Sequence, residues 1–444
     1  MVILNISDRL QAIRAKINLS DLFQGIEVTT LGVDQMNDFP WKRNLYVLWA
    51  GVFFCSTAYS MVIPFMSLFI AHDLGVTEHL TFLSGFAFGI TFLAGALISP
   101  YWGSLSDKYG RKPMLLRSGF ALCGVYILNS FVQDPYQLIA VRILSGLLAG
   151  YVPSAIALVA TNTPEKHVGF SLGIMSTAGA AGSIIGPLVG GSLTKFIGFR
   201  ESFLAAGGVV LFSALIALIF VKEQNFDRNR ERSHVLDDLK EAKANRPLMG
   251  NLSIVLLVTA SVMVLEPLLS LYVLDLGASV ADASFSSGII FSAVGISTVI
   301  AAPFWGKIGQ HIGYRNTLMI GLIGGGVGNI MQHFIHDLVA FGVLRFVYGL
   351  FFAAVFPALN ALIVQSTRSE FRGRAFSLNQ SASQLGNMIG PIAGGTLGGW
   401  ISIPVVFVLN GLLLVITALT LKLKPMLGAG NDGKQQEQGT RGLR

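Results

Sequence analysis

Two charged residues stand where a chain of this composition can least tolerate them. Glu266 falls inside a long apolar run and is followed at once by Pro267, and Arg142 opens the apolar stretch RILSGLLAG. An arginine in the middle of a membrane span costs about 2.5–3.5 kcal/mol on insertion scales. Arg142 therefore calls for a partner, a wet cavity or a use. A carboxylate in such a setting has a specific one. Burial disfavours its charged form, so it can become a site where a proton and a cationic solute compete. Glu266 is the first candidate for coupling two binding events, with Arg142 tuning the same cavity. The alternatives are an edge position in water for Glu266 and a structural, carbonyl-capping role for Arg142.

A second group has the chemistry of a pocket wall. Gln380, Gln384 and Asn387 are spaced by four and three, which puts them on one helix face. With Tyr59, Phe65, Met175 and Asn360 they are read as lining a cavity that is mostly apolar with a few placed polar groups, as small-molecule sites are. A third group is built of small residues: Gly182, Gly186, Pro187, Gly190 and Gly191, then Gly386, Gly390, Pro391, Gly394 and Gly395. Glycine at four-residue spacing lets two helices approach backbone to backbone. No GxxxxGK[ST] or HExxH occurs, so neither ATP-driven work nor zinc-protease chemistry is indicated. The energy source would be an ion gradient or the substrate's own. Cys55 and Cys123 lie in apolar runs and form no disulfide or metal framework; no cofactor and no metal site is expected.

The elements that must position these residues are membrane spans. The chain of 444 residues is 52% hydrophobic and only 12% charged, against about 25% charged in a soluble domain. Its mean hydropathy is +0.64. A spanning helix needs about 20 mainly apolar residues, and that ruler predicts spans near 46–71, 81–102, 114–132, 137–160, 169–194, 201–221, 251–275, 284–305, 316–335, 339–364, 376–398 and 402–422. The net charge of +7 does not indicate nucleic acid, because the basic residues sit in short stretches between spans. Lys42, Arg43, Lys108, Arg111, Lys112, Arg117, Lys166, Lys307, Arg315, Arg368, Arg372, Arg374, Lys422 and Lys424 fall on one side, and only Lys195 and Arg200 on the other. The excess marks the cytoplasmic face and puts both termini there. The expected organisation is a tail (1–40), a six-helix bundle (41–222), a charged and partly helical linker (223–250), a second bundle (251–424) and a second tail (425–444). The first tail lacks a secretory signal pattern and reads as a disordered cytoplasmic tail, the alternative being a short interfacial helix on Leu10, Ile13 and Ile17. Gln332 and His333, near an outer end, are expected to face water.

The two bundles repeat each other. GSLSDKYGRKPML at Gly103 returns as GKIGQHIGYRNTLM at Gly306, RILSGLLAG at Arg142 as RFVYGLFFA at Arg345, and IPFMSLFIAHDLG at Ile63 as EPLLSLYVLDLG at Glu266, each 203 positions later. GSIIGPLVGG returns as GNMIGPIAGG with an offset of 204. Two homologous halves in one orientation are the parallel-repeat plan of the major facilitator fold. Pro64, Pro153, Pro267 and Pro357 fall in helices 1, 4, 7 and 10. A proline bends a helix and frees a carbonyl, which is tolerable at membrane depth only against protein or a wet cavity. These four helices are expected to line one central cavity.

The same residues carry a family resemblance over 36–424. GSLSDKYGRKPML resembles the helix 2–3 loop motif of the major facilitator superfamily, RILSGLLAG its helix 4 motif, and GSIIGPLVGG the helix 5 motif of its antiporters. WKRNLYVLWAG and FSLNQS are similar to the MdtG-type multidrug exporters of the drug:proton antiporter-1 group. The resemblance implies an all-α polytopic protein of twelve helices in two six-helix bundles, in the inner membrane of a bacterium. It implies alternating-access export of amphipathic drug-like molecules in exchange for protons, by a monomer whose partners are the lipid bilayer, the substrate and protons. It further implies that Gly103, Asp107, Gly110, Arg111 and Lys112 form a conformational switch, that Arg142 takes part in proton coupling, and that the glycine motifs seal the cavity against leak. Gln310 stands where the second half would repeat Asp107, so such a switch is complete only in the first half. Glu266 has no support from the resemblance; its first-half counterpart is Ile63. Export of a metabolite or siderophore, nutrient import, and a non-transporting membrane sensor remain alternatives.

Overall fold

The computed structural model describes residues 40–223, 243–368 and 371–423. The N-terminal tail, most of the linker and the C-terminal tail, with the interfacial-helix and linker-helix expectations, lie outside the described residues. The described chain forms twelve rods: α1 (Trp41–His72), α2 (Leu80–Tyr109), α3 (Arg111–Phe131), α4 (Pro135–Asn162), α5 (Glu165–Ile197), α6 (Phe199–Phe220), α7 (Arg246–Asp275), α8 (Val280–Ile312), α9 (Tyr314–Gln332), α10 (Leu338–Gln365), α11 (Arg372–Trp400) and α12 (Ile403–Leu423). Ten are long and apolar enough to cross a membrane by composition alone. The other two, α9 and α11, carry more glycine and amide side chains. α7 starts inside the expected linker, because Asn245 caps it by accepting from the Leu248 amide and Pro247 fits its first turn.

Four rods are broken, and they are the four with a matched proline. α1, with its first helical turn opening at Pro40, divides into Pro40–Met61 and Met66–His72, α4 into Pro135–Leu148 and Tyr151–Asn162, α7 into Arg246–Val264 and Glu266–Asp275, and α10 into Leu338–Phe352 and Val355–Gln365. In α4, α7 and α10 the break lies on the N-terminal side of the proline, within reach of the carbonyl with which the ring collides four residues back, and in α1 the break at 62–65 contains Pro64 itself. Only α4 opens fully: Gly150 adopts φ +137°, a conformation side-chain-bearing residues avoid. In α10 the counterpart, Ala353, keeps a helical φ of −55°.

Sequence repeats become repeated bonds. Trp102 Nε1 donates to the Leu147 carbonyl and Trp305 Nε1 to that of Leu350, both at 2.7 Å. Asp134 caps α4 and Asp337 caps α10. Lys112 Nζ reaches the Leu218 carbonyl at the end of α6, and Arg315 the Leu421 carbonyl at the end of α12. All these pairs are 203 residues apart.

The halves meet through α2 with α11, α5 with α8, and the second pieces of α1 and α7. A methyl on Gly85 would meet the Pro391 carbonyl and one on Gly395 that of Thr81; Gly191 abuts Ser284, and Gly288 abuts Pro187. These positions gather at the end of the bundle opposite the basic loops. Lys195 pairs with Asp282 there at 2.8 Å. The end with the basic loops holds a cavity of about 420 Å³. The molecule is thus shut at one end and open at the other.

Candidate functional site

The breaks in α1 and α7 bring the charged candidates into the middle of the bundle. Glu266 is the first residue of the second piece of α7 and is half-buried. It has no hydrogen bond or ion pair among the described residues. Tyr59 on α1, 43% exposed, is close enough to feel the charges of both Glu266 and Arg142. Arg142 is buried. Its Nη2 approaches the Met66 sulfur at 3.5 Å, and its Nε finds no acceptor. Tyr59, Val62, Ile63, Phe88 and Thr91 surround a small crevice with Arg142. So Tyr59 shares a crevice with Arg142 and lies within electrostatic range of Glu266, at a site where neither charge is neutralised by a direct carboxylate or basic partner among the described residues.

Arg345, the repeat of Arg142, is equally buried but differently held. Its guanidinium lies 5.7–5.8 Å from the ring centres of Phe341, Tyr348 and Phe407. Cation–π contact over three rings partly replaces water, and Arg345 belongs to the second-half core rather than to the crevice.

The open cavity is walled by α2, α3, α4 and α11, so of the four proline-broken helices expected to line a cavity only α4 borders this one, with Trp102, Gly103, Ser106, Arg111, Arg117, Gly150, Ser154 and Gln384 on its surface. Gln384 accepts from Asn387 at 3.1 Å, and Asn360 accepts from Asn379 at 3.5 Å. Asn360 and Gln380 are exposed. Two expected wall residues are elsewhere. Phe65 packs on Phe199 and Phe203 in the first-half core, and Met175 is buried among Leu45, Leu48 and Leu158. The apolar side of a span that faces its own bundle reads in sequence like one that faces a cavity. Gln332, expected in water, is also buried, bonded to Asn329 Oδ1 and the Gly328 carbonyl.

The loop motif is built into the first half. Gly110 turns the chain at φ +100°. Arg111 Nη1 reaches the Ala157 carbonyl and Thr161 Oγ1 on α4, and Lys112 Nζ donates to the Val221 carbonyl at 2.6 Å. The amides of Arg111 and Lys112 donate to Glu223 at 2.7 and 3.0 Å. Glu223 thus caps α3 from the end of α6, a role sequence reading missed because the two are 112 positions apart. A carboxylate at a helix N-terminus is favoured by the orphan amides and the helix dipole. The side chain of Asp107 lies outside the described residues.

The glycine motifs act as contact faces. Methyl groups on Gly182, Gly186 and Gly190 would strike the backbone of α1 at Phe53, Thr57 and Met61; Gly386, Gly390 and Gly394 sit on α7 at Leu256, Ala260 and Val264. The extra glycine of each motif, Gly191 or Gly395, turns to the other half.

Two homologous broken-helix bundles, packed on each other at one end and with a cavity at the other, define a membrane transporter. The sequence profile of the Major Facilitator Superfamily matches residues 48–299 and 252–441, and the chain belongs to that family. It is similar to the multidrug resistance protein MdtG of Serratia proteamaculans, 37% identical over 385 residues, covering 85% of this chain and 93% of that protein. The MdtG of Enterobacter lignolyticus is 36% identical over 382 residues, covering 85% and 91%. Among solved structures it resembles a bacterial homologue of the human lysosomal transporter Spinster in an inward-facing, occupied conformation, with TM-score 0.71, 15% identity and coverage of 85% and 95%. The nucleoside transporter NupG aligns with TM-score 0.71, 13% identity and coverage of 86% and 99%. The chain is a multi-pass bacterial membrane protein of this transporter family.

Proposed function

We propose that this chain exports amphipathic, drug-like molecules by alternating access, in exchange for protons, as a monomer in the bacterial inner membrane with both termini in the cytoplasm. The observation that carries the reading is Glu266: half-buried, unpaired among the described residues, at the break of α7 and in electrostatic range of Tyr59. A carboxylate so placed can hold a proton or attract a cationic substrate, and exclusion of one by the other is what exchange requires. The names of the MdtG relatives support a drug-like substrate class. The excess of Lys and Arg on the side of the open cavity supports loading from the cytoplasm. Gly103, Gly110, Arg111 and Lys112, with Asp107, are assigned to the switch at that mouth, Arg142 to the tuning of Glu266, and the glycine faces to the seal.

The test uses purified protein in liposomes with an imposed pH gradient and a fluorescent cationic dye. Uphill dye movement that a protonophore abolishes is expected, with at least a tenfold loss in Glu266→Gln, on the order of one pK unit of lost coupling. Gradient-driven transport that survives Glu266→Gln leaves the exporter and removes Glu266 from it. A broad dye panel that no gradient moves would turn the reading toward export of a metabolite.

A further inference from the structure

The closed end holds a pair of hydrogen bonds that cross between the halves and mirror one another. Ser67 Oγ, on the second piece of α1, donates to the Pro267 carbonyl at 2.7 Å. Ser270 Oγ, on the second piece of α7, donates to the Pro64 carbonyl, also at 2.7 Å. Ser67 and Ser270 are 203 positions apart, as are Pro64 and Pro267, so each half offers the other the same donor and the same acceptor. Both serines are 1% exposed. Leu68, Leu265, Leu268 and Leu269 pack in one buried cluster at this junction.

Ordinary helix chemistry does not require this arrangement. A serine in a helix commonly satisfies itself on a carbonyl of its own preceding turn, as the buried Ser213 does on Val209 and the more exposed Ser192 on Leu188. Ser67 and Ser270 instead reach across. The break in α1 is what makes this possible, because Pro64 lies between the helical pieces and its carbonyl is free of the regular ladder. The Pro267 carbonyl, in the first turn after the break in α7, is the matching acceptor.

We propose that Ser67 and Ser270 form a reciprocal latch, which holds the end opposite the basic loops shut by bonding each half to the proline bend of the other. The proposal rests on the alternating-access reading, in which that end must open once per cycle. Opening separates the second pieces of α1 and α7 and breaks both bonds together. Each bond is of modest strength, so the latch biases the two states without trapping either.

The experiment is a distance measurement on the full chain in lipid nanodiscs. Cys55 and Cys123 are replaced by alanine, and nitroxide labels are attached at Glu78→Cys and Asp275→Cys, exposed positions of opposite halves beside the closed end. Ser67→Ala and Ser270→Ala should each raise the ratio of open to closed distances roughly three- to tenfold. The double variant should show the product of the two shifts. Ser192→Ala should leave the ratio unchanged. Folded alanine variants that keep the wild-type ratio overturn the latch. If alanine variants do not fold, Ser67→Gly and Ser270→Gly remove the same donor without adding a thiol, and a wild-type ratio in those overturns it equally. The readout needs no transport. A shifted ratio in a protein that moves no dye leaves the latch standing and rejects the drug-export reading.

Discussion

Arg142 and Arg345 occupy the same place in the repeat and do different things. Arg142 approaches the Met66 sulfur and borders the crevice of Tyr59, Phe88 and Thr91, whereas Arg345 rests among three rings. Neither has a carboxylate partner among the described residues. Replacing a buried charge by an apolar side chain of similar volume is often neutral or stabilising by about 1–4 kcal/mol. Arg345→Met should therefore keep or raise the melting temperature and retain transport. Arg142→Met should also melt no lower, yet lose dye transport driven by a pH gradient. Equal transport losses in both would mean that the two arginines share one structural role. The charged candidates were legible in the sequence because an ion in an apolar run stands out. Phe65 and Met175 were not: nothing in an apolar span says which face meets its own bundle. Gln332 was misread for the opposite reason, since its polar partner Asn329 sits on the same helix and makes burial tolerable.

Elements were more legible than residues. The matched prolines located all four breaks, because the clash with the carbonyl four residues back is local physics. The glycine spacing predicted close helix contacts for α5 and α11 but not their partners, which are α1 and α7. A methyl at Gly190 would fall on the Met61 carbonyl oxygen, whereas one at Gly173 meets nothing within 4 Å. Gly190→Ala should thus lower stability by about 1–3 kcal/mol, and Gly173→Ala should raise it by about 0.5–1 kcal/mol, both read from thermal melting in detergent. The Glu223 cap was invisible from sequence, because the α3 amides it serves lie far away in the chain. Glu223→Gln keeps the shape of the cap and removes its charge. It should cost about 0.3–1 kcal/mol, and the loss should shrink as salt rises.

At the scale of the molecule, the repeat predicted two bundles but not which state they would adopt, since both states use the same helices. That choice is carried by contacts between halves: Gly85 on Pro391, Gly395 on Thr81, Gly288 on Pro187 and the serine pair. All of them lie away from the basic loops, so water should reach the cavity wall from the basic side alone. Asn360 and Gln380 are exposed polar residues on α10 and α11, and Ser270 is 1% exposed at the shut end. In a chain with Cys55 and Cys123 replaced by alanine, Asn360→Cys and Gln380→Cys should react with a membrane-impermeant maleimide in inside-out vesicles and stay unreactive in right-side-out cells. Ser270→Cys should be protected in both. A substrate that occupies the cavity should slow labelling at Asn360→Cys, and one that drives the other state should expose Ser270→Cys to the outside. Reaction of Asn360→Cys only from the outside would reverse the orientation inferred from the basic loops, and with it the direction of transport.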